Sequence, residues 1–261
     1  MLRSINSSAS GINAHAKKVD VIAHNIANIN TTGYKKQAVS FSELYYRQTV
    51  GPGAPVARTS TNNSPILEGS GVRVAGAEKN FEQGPLVQTG RDMDFAIQGE
   101  GLFEVMLPTG ELAYTRDGVF KIDENGWITT AQGYRLTAPI MVPENYRELK
   151  INVSGEVTGK NLEGEIEELG SLFLVSFTNQ EGLESIGENL FIATEASGDI
   201  WEAMPGEEGL GQIRQGFLES SNVFLAEEIT NLIEAQRAYQ LNSRALQAAD
   251  EMWAMANNLR R

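Results

Sequence analysis

Residues 2–30 of the chain read LRSINSSASGINAHAKKVDVIAHNIANIN, and the pattern in this stretch decides the fold. Every seventh residue is a branched apolar one: Ile5, Ile12, Val19 and Ile26. No proline interrupts the stretch, and the run of Asn, Thr and Gly over residues 28–33 is typical of a helix end. The pattern predicts an amphipathic helix over residues 4–30. Such a stripe needs a partner helix, because one helix alone leaves it in water.

The last part of the chain carries the same seven-residue repeat, at Leu225, Leu232, Tyr239, Leu246 and Trp253. Ser220, Ser221 or Asn222 is expected to cap a helix that runs to about residue 259. We interpret the two stripes, which lie far apart in sequence, as partners of each other and of neighbouring copies. An alternative stays open at this point: the two helices form an antiparallel hairpin within one chain, packed on the rest of the protein.

The bulk properties of the chain exclude several classes of protein. With 261 residues, of which 41% are hydrophobic, the chain is long enough for a sizeable core, and wholesale disorder is not expected. The net charge of −13 argues against a nucleic-acid partner, which requires a basic face. The lack of cysteine excludes disulfides and thiolate metal sites. No run of about 18 apolar residues is present, so we expect no membrane insertion, and the N-terminus lacks the apolar core of a signal peptide.

Between the helices, from about residue 72 to residue 192, the sequence has the signals of β-structure. Short apolar or β-branched runs, including a predicted strand over residues 134–142, alternate with turn dipeptides. These dipeptides are Thr109-Gly110, Asp117-Gly118, Asn125-Gly126 and Gln132-Gly133. Asp-Gly and Asn-Gly are strong hairpin signals, because both residues of a type I′ turn need positive φ. The pattern predicts a meander in an all-β sheet or small barrel.

The predicted fold class is therefore α+β. A short second helical piece is expected over residues 40–46, and the Gly- and Pro-rich stretch 51–71 is expected to be an extended segment that bridges neighbouring copies. The terminal helices pair in a discontinuous, coiled-coil-like domain, an all-β domain is inserted between them, and extended linker segments join the two. The corresponding residues are 1–46 and 217–261 for the helical domain, 76–195 for the β domain, and 47–75 and 196–216 for the linkers.

Few residues are candidates for chemistry. His15 and His24 are nine residues apart on the first helix, which is not the spacing of a zinc site, so a structural role is favoured. Glu100 and Glu104 fit the carboxylate pair of a glycosidase, but acidic residues are plentiful and a chance pair in a strand is favoured. We therefore predict no catalytic, cofactor-binding or metal residue.

Two acidic loops have simpler explanations than ligand binding. Asp123-Glu124-Asn125-Gly126 lacks the alternating oxygen ligands of a calcium loop, so a hairpin turn explains it better. Arg116-Asp117-Gly118 is compatible with an adhesive loop, but a turn anchored by an Arg–Asp pair is favoured.

Several motifs occur in a fixed order along almost the whole chain. They are ANINTTGYK over residues 27–35, F-x-Q-G-x-L over 81–86, D-x-A-I-x-G-x-G-x-F over 94–103, AYTRDG-x-F over 113–120, GFLESSNV over 216–223 and QRAY-x-x-N over 236–242. Together they resemble the flagellar rod and hook family of axial proteins. The length and the stretches 44–74 and 178–190 are most similar to members that form the distal rod. A proximal rod or hook-basal-body paralogue is the nearest alternative.

The resemblance implies a structural subunit of the bacterial flagellar basal body, not an enzyme. Copies would polymerise helically into a rigid hollow drive shaft that transmits torque from motor to hook and forms part of the export channel. The terminal helices would line the tube and the β domain would face outward. The implied partners are further copies of the chain, proximal rod proteins, the hook protein and outer bushing ring proteins. Export by the flagellar type III apparatus, without a cleaved signal peptide, would place the protein outside the cytoplasmic membrane.

The residues expected to carry self-assembly are the two apolar stripes together with four residues of the motifs that flank them. They are Ile5, Ile12, Val19, Ile26, Asn28, Asn30, Gly33, Asn222, Leu225, Leu232, Tyr239, Leu246 and Trp253. Two functions of other classes stay open: an acidic cell-wall hydrolase, which needs an open cleft with two carboxylates, and a monomeric adhesin that uses the β domain.

Overall fold

The two apolar repeats form the two α-helices of the computed structural model, which describes residues 2–48, 67–143 and 146–258. Helix α1 spans Leu2–Ala27 and helix α2 spans Leu225–Asn258. α1 ends before the predicted residue 30, because the chain turns at once: the Thr31 amide donates to the Asn28 carbonyl at 3.1 Å, and Gly33 has φ +66°. The left-handed conformation of Gly33 is incompatible with continuing the helix.

The regular secondary structure between the helices consists mainly of β-strands, as the turn pattern predicted. In chain order the strands are β1 (Gln37–Glu43), β2 (Arg47–Gln48), β3 (Leu67–Glu68), β4 (Val72–Lys79), β5 (Leu86–Gln88), β6 (Phe95–Gln98), β7 (Phe103–Met106), β8 (Leu112–Thr115), β9 (Phe120–Ile122), β10 (Ile128–Thr130), β11 (Arg135–Leu136), β12 (Tyr146–Ile151), β13 (Glu156–Asn161), β14 (Ile166–Ser171), β15 (Leu174–Phe177), β16 (Glu184–Gly187), β17 (Leu190–Ile192), β18 (Ile200–Ala203), β19 (Gln212–Gln215) and β20 (Phe217–Glu219). Short 3₁₀ turns occur at Gln180–Gly182 and Glu195–Ser197. The fold class α+β is confirmed.

The largest sheet has seven strands in the order β16-β17-β8-β7-β11-β10-β9. A three-stranded sheet follows the order β12-β13-β14, and the remaining strands pair in twos: β1–β4, β2–β3, β5–β20, β6–β19 and β15–β18. Three of the four predicted hairpins are confirmed, because β7–β8, β9–β10 and β10–β11 pair antiparallel around the turns at Gly110, Gly126 and Gly133. Each of these glycines has positive φ, as the turns require.

The fourth predicted hairpin, at Asp117-Gly118, is wrong. β8 and β9 lie at different places in the seven-stranded sheet and do not pair. Gly118 packs against the backbone of Phe95 so closely that a Cβ atom would lie 1.6 Å from the Phe95 carbonyl oxygen. The segment is therefore a crossing of two backbones, where glycine is needed for close approach and not for a turn.

Three other sequence expectations need correction. Residues 40–46 are not helical: β1 covers Gln37–Glu43 and pairs with β4, and its exposed residues alternate with half-buried ones along most of its length. The single strand expected over 134–142 is reduced to β11, because Pro139 cannot donate a ladder hydrogen bond. The segment 196–216, expected as a linker, contains β18 and β19. Of the expected segment 51–71, residues 51–66 lie outside the described residues, as does the predicted helix end at residue 259.

Two compact units divide the described chain. The first contains Met1–Ile26, Gln37–Glu78 and Leu225–Arg261, so far as these ranges are described, and the second contains Ala27–Lys36 and Lys79–Phe224. The second unit has two buried apolar clusters. The larger is built around side chains such as Phe95, Phe103, Phe120, Leu174 and Ile213, and the smaller around Leu102, Tyr114, Val175, Phe177 and Phe191.

Candidate functional site

Three charged side chains from three distant motifs meet in the second unit, and we call Lys35, Arg116 and Glu219 the charged junction. The Lys35 ammonium lies 2.8 Å from Glu219 Oε1, and Arg116 Nε lies 2.5 Å from Glu219 Oε2. None of the three side chains is more than 4% exposed. Buried charges are tolerated only when they are paired and hydrogen-bonded, so each charged group of the junction needs hydrogen-bond partners.

Backbone groups supply the remaining hydrogen-bond partners of the junction. Lys35 Nζ also donates to the carbonyl oxygens of Phe81 and Glu82, at 3.1 and 2.8 Å. The Arg116 guanidinium donates to the carbonyls of Ile97, Gly99 and Gly101. The Gly84 amide donates to Glu219 Oε1 at 2.9 Å.

Charge balance within the junction sets the protonation of its members. Burial lowers the pKa of Lys35, and the nearby Glu219 carboxylate only partly offsets this. Burial alone raises the pKa of Glu219, but Arg116 and Lys35 outweigh it and hold that pKa below its ordinary value. Glu219 faces two cations, whereas Lys35 faces the Glu219 carboxylate, the cation Arg116 and, with a smaller effect on its pKa, Glu82. The carboxylate is therefore the residue on which the other two depend.

Gly33, which the sequence placed among the assembly residues, lies against the backbone of the Arg116–Asp117 segment. A Cβ atom at Gly33 would lie 2.6 Å from the Asp117 amide nitrogen. The Gly33 amide donates to the Glu219 carbonyl at 2.9 Å, and the Thr32 hydroxyl lies 2.8 Å from Asp117 Oδ1. The motif that ends α1 is thus fixed directly to the two other motifs of the junction.

Asn222, one of the three residues expected to cap α2, binds in this same region instead. Its Oδ1 accepts from the Lys36 amide at 2.7 Å, and its Nδ2 donates to the carbonyls of Asn80 and Glu82. The predicted pairing of Arg116 with Asp117 is wrong, because Arg116 binds Glu219 and Asp117 binds Thr32. Asn28 is half-buried and accepts from the Thr31 hydroxyl at 3.1 Å, while Asn30 is exposed.

The first unit brings α1 and α2 into contact. Gly11 approaches α2 so closely that a Cβ atom would lie 3.0 Å from the Asn242 side chain. Asn25 Nδ2 donates to the buried Glu228 carboxylate at 3.3 Å. Position 11 of α1 lies beside position 242 of α2, and position 25 lies beside position 228. The positions in contact increase along α1 as they decrease along α2, so the two helices run antiparallel.

Apart from Ile22, the least exposed residues of the two helices are small or polar. The fully buried ones are Gly11, Ala14, Ile22 and Asn25 on α1, and Glu228, Ala235 and Ala249 on α2. The predicted stripes lie beside this seam: Ile5, Ile12, Val19, Ile26, Leu232 and Leu246 are half-buried, and Leu225, Tyr239 and Trp253 are exposed. Sequence reasoning therefore missed Gly11, Asn25 and Glu228. A sequence signal for these contact residues was available. They are spaced at multiples of seven, at positions 11 and 25 on α1 and at positions 228, 235, 242 and 249 on α2.

Replacing Asn25 by alanine is expected to lower the free energy of unfolding by about 2 kcal/mol. The Asn25 side chain accepts from the Gln37 amide, donates to the Gln37 carbonyl and donates to Glu228, so its loss leaves buried groups unpaired. Urea unfolding followed by circular dichroism measures the change. Asn13→Ala, at an exposed position of the same helix, is the control and should change stability by less than about 0.5 kcal/mol. Equal losses in both variants would contradict the role of Asn25.

Three family models match successive parts of the chain. The "Flagella basal body rod protein" model matches residues 5–35, the "Flagellar hook protein FlgE/F/G D1 domain" model matches residues 96–159, and the "Flagellar basal body rod FlgEFG protein C-terminal" model matches residues 214–259. The first and third cover the two motifs that meet at Gly33 and Glu219, and the second covers Arg116. These three matches place the chain in the class of flagellar rod and hook proteins.

Full-length relatives narrow this class. The flagellar basal-body rod protein FlgG of Borreliella burgdorferi is 42% identical over 264 residues, and that of Bacillus subtilis is 37% identical over 269 residues, with 100% of each chain covered in both cases. The flagellar hook-basal body complex protein FlhP of Bacillus subtilis is 30% identical over 275 residues, also with full coverage. The chain therefore belongs to the FlgG family of flagellar basal-body rod proteins, the structural subunits of the distal rod.

This membership decides between the open classes of function. The relatives are structural proteins of the basal body, so the chain is not an enzyme, and nothing in the comparisons supports the hydrolase alternative. Within the described residues, neither helix is long and apolar enough to cross a membrane. The protein assembles into the axial structure of the basal body with other flagellar components.

Proposed function

We propose that copies of this chain polymerise helically into a rigid, hollow distal rod that transmits torque from motor to hook and forms part of the export channel. The observation that carries the proposal is the apolar surface that the paired terminal helices leave exposed. Membership of the FlgG family supports it, because such a surface in a rod subunit requires neighbouring copies to cover it.

The antiparallel contact of α1 and α2 supports a coiled-coil-like pairing within one chain. The seam residues of α2 recur every seven residues, at Glu228, Ala235, Asn242 and Ala249, and the half-buried Leu232 and Leu246 lie between them. This spacing is that of a heptad repeat. Small residues at the seam allow the two helices to approach closely, and the polar pair Asn25–Glu228 fixes their register.

One face of α2 is left without a partner from α1. Leu225, Ile229 and Ile233 succeed one another at helical spacing, and their exposed fractions are 48%, 43% and 45%. With Gly11 beside Asn242 and Asn25 beside Glu228, the first residue of α1 lies at the level of residue 251 of α2. The rest of α2 therefore extends past the start of α1, and Met252, Trp253 and Met255 are exposed there. A second copy is the fitting occupant, because the same apolar spacing is repeated on every subunit of a polymer.

The remaining assignments follow from this arrangement as parts of the same proposal. The terminal segments 1–46 and 217–261 line the tube, the β domain 76–195 forms the outer part, and residues 47–75 connect them. The self-assembly residues are the stripe and motif positions from Ile5 to Trp253 named above. The proposed partners are other copies, proximal rod proteins, the hook protein and outer bushing ring proteins, which the chain would reach through the flagellar export apparatus.

Changing both Ile229 and Ile233 to lysine is expected to prevent polymerisation while leaving the subunit folded. Both side chains are exposed, so the change should shift stability by less than about 1 kcal/mol. Electron microscopy of assembled material and sedimentation of the soluble protein measure the two effects. Gln247→Lys, at another exposed position of α2, is the matched control and should assemble like the wild type. Normal rods from the double variant would contradict the proposal.

A further inference from the structure

The two-stranded ribbon formed by β1 and β4 is tied to α1 by polar groups near both ends of the helix. At one tie, the Gln37 amide donates to Asn25 Oδ1 and Asn25 Nδ2 donates to the Gln37 carbonyl, both at 2.9 Å. At the other, the Val72 amide donates to the Ser10 hydroxyl at 3.2 Å. The groups in both ties are uncharged between pH 4 and pH 8, so neither tie responds to moderate changes of pH.

Between the two ties, a histidine of α1 packs against the ribbon. The imidazole ring of His15 and the phenyl ring of Phe41 have centroids 6.0 Å apart and planes tilted by 53°. The Nδ1 atom of His15 is buried and has no hydrogen-bond partner among the described residues. In the neutral ring with its proton on Nε2 this atom is a bare acceptor, whereas in the protonated ring it carries a charged N–H that needs an acceptor. Burying that charged donor without a partner is strongly unfavourable.

Among the described residues, the charged groups on the surrounding elements do not supply an acceptor. On α1, Lys18 lies one turn beyond His15 and opposes its protonation, while Lys17 and Asp20 pair with each other at 3.9 Å. On α2, the one charged residue between Ala235 and Asn242 is Arg237, which is exposed and also positive. The charged residues of the ribbon are engaged elsewhere: Glu43 with the Tyr46 hydroxyl, Arg73 with Ser42, Glu78 with Ser40, and Lys79 over the ring of Phe191.

We propose that His15 and Phe41 form a proton-sensitive latch that holds the β1–β4 ribbon on α1 and opens when the imidazole is protonated. The hydrogen bonds at Asn25 and Ser10 then remain between α1 and the ribbon. The inference goes beyond assembly of the rod, because it gives a single subunit a built-in response to acid. A histidine is the side chain suited to this role, since its charge changes in the range between pH 5 and pH 8.

The direction of the pH effect follows from the environment of His15. Burial, and to a lesser degree Lys18, lowers the pKa of His15 from its ordinary value of 6.5. The unfastened state therefore binds the proton more readily than the latched state. Stability of the latch is fully present above pH 6.5 and is lost as the pH falls below that value.

Hydrogen exchange of the ribbon amides tests the latch on the full-length soluble chain. Protection of residues 37–43 and 72–78, corrected for intrinsic exchange, is compared at pH 7.5 and pH 5.0. We expect protection in the wild type to fall by about three-fold or more at the lower pH. His15→Phe keeps a ring against Phe41 without a titratable group, so its protection should not change with pH. His24→Gln removes the exposed histidine of the same helix and should behave like the wild type.

Each outcome of the comparison decides the proposal. Acid sensitivity that disappears in His15→Phe and persists in His24→Gln supports the latch. A wild type without acid sensitivity, or a ribbon without protection at pH 7.5, overturns it. So does an equal loss in His15→Phe. If His15→Phe is not folded at pH 7.5, His15→Gln replaces it with the same expectations, and an NMR titration of the wild-type imidazoles must show His15 titrating below pH 6.5.

Discussion

Alanine in place of Gly33 is expected to prevent cooperative folding of the β-rich unit or to lower its free energy of unfolding by about 3 kcal/mol or more. The added Cβ atom would lie 2.6 Å from the Asp117 amide nitrogen and 2.7 Å from the Arg116 carbonyl carbon. Both are backbone atoms, which cannot rotate away as a flexible side chain does. The φ angle of +66° adds strain for any residue other than glycine.

A second glycine with almost the same backbone angle separates these two effects. Gly90 has φ +69°, and apart from its chain neighbours no atom of the described residues lies within 4 Å of the position that a Cβ would take. Gly90→Ala should therefore show only the conformational cost, about 1 kcal/mol. Urea unfolding of both variants, followed by circular dichroism, gives the difference that belongs to the contact with Asp117. Equal losses in the two variants would show that the contact at Gly33 contributes nothing.

Glutamine in place of Glu219 is expected to lower the free energy of unfolding by about 3 to 5 kcal/mol, the range found when one partner of a buried ion pair is removed. Glutamine keeps the shape of the side chain and an acceptor for the Gly84 amide. It leaves the buried charges of Lys35 and Arg116 without a carboxylate. Loss of charge, not loss of packing, is therefore what this variant measures.

The control for Glu219 is a carboxylate on the surface of the same unit. Glu100 is exposed, so Glu100→Gln should change stability by less than about 0.5 kcal/mol. Both variants are compared with the wild type by urea unfolding at pH 7. If Glu219→Gln loses less than about 1 kcal/mol, the backbone carbonyls alone are sufficient to compensate the two cations.

Local patterns in the sequence predicted the parts of the fold that depend on neighbouring residues. The period of seven identified both helices, and the turns at Gly110, Gly126 and Gly133 identified three hairpins. These predictions succeed because a helix or a hairpin turn is specified by residues close in sequence. The prediction at Asp117-Gly118 failed because the same dipeptide also permits two backbones to cross closely, which only the contact with Phe95 reveals.

The charged junction could not be predicted in the same way. Lys35, Arg116 and Glu219 are separated by 81 and 103 residues, and no spacing rule connects such positions. The motifs that contain them were recognised, but the charged residues were not distinguished from surface ones. The seam between the helices was missed for a related reason. Attention to branched apolar residues favoured Ile12 and Ile26, whereas the close contacts are made by Gly11 and Asn25, one position earlier.

The three-part origin of the charged junction also sets an order of events. During synthesis or export with the N-terminus first, Lys35 becomes available for folding early and Arg116 later. Glu219 becomes available only after 219 of the 261 residues have emerged. Until then, burial of Lys35 and Arg116 would leave two cations without a carboxylate, so the β-rich unit has no favourable closed state. Pairing of helix α1 is delayed further, because its partner helix α2 begins at Leu225. The subunit therefore completes its fold only once nearly the entire chain is available, and a partly emerged chain remains open.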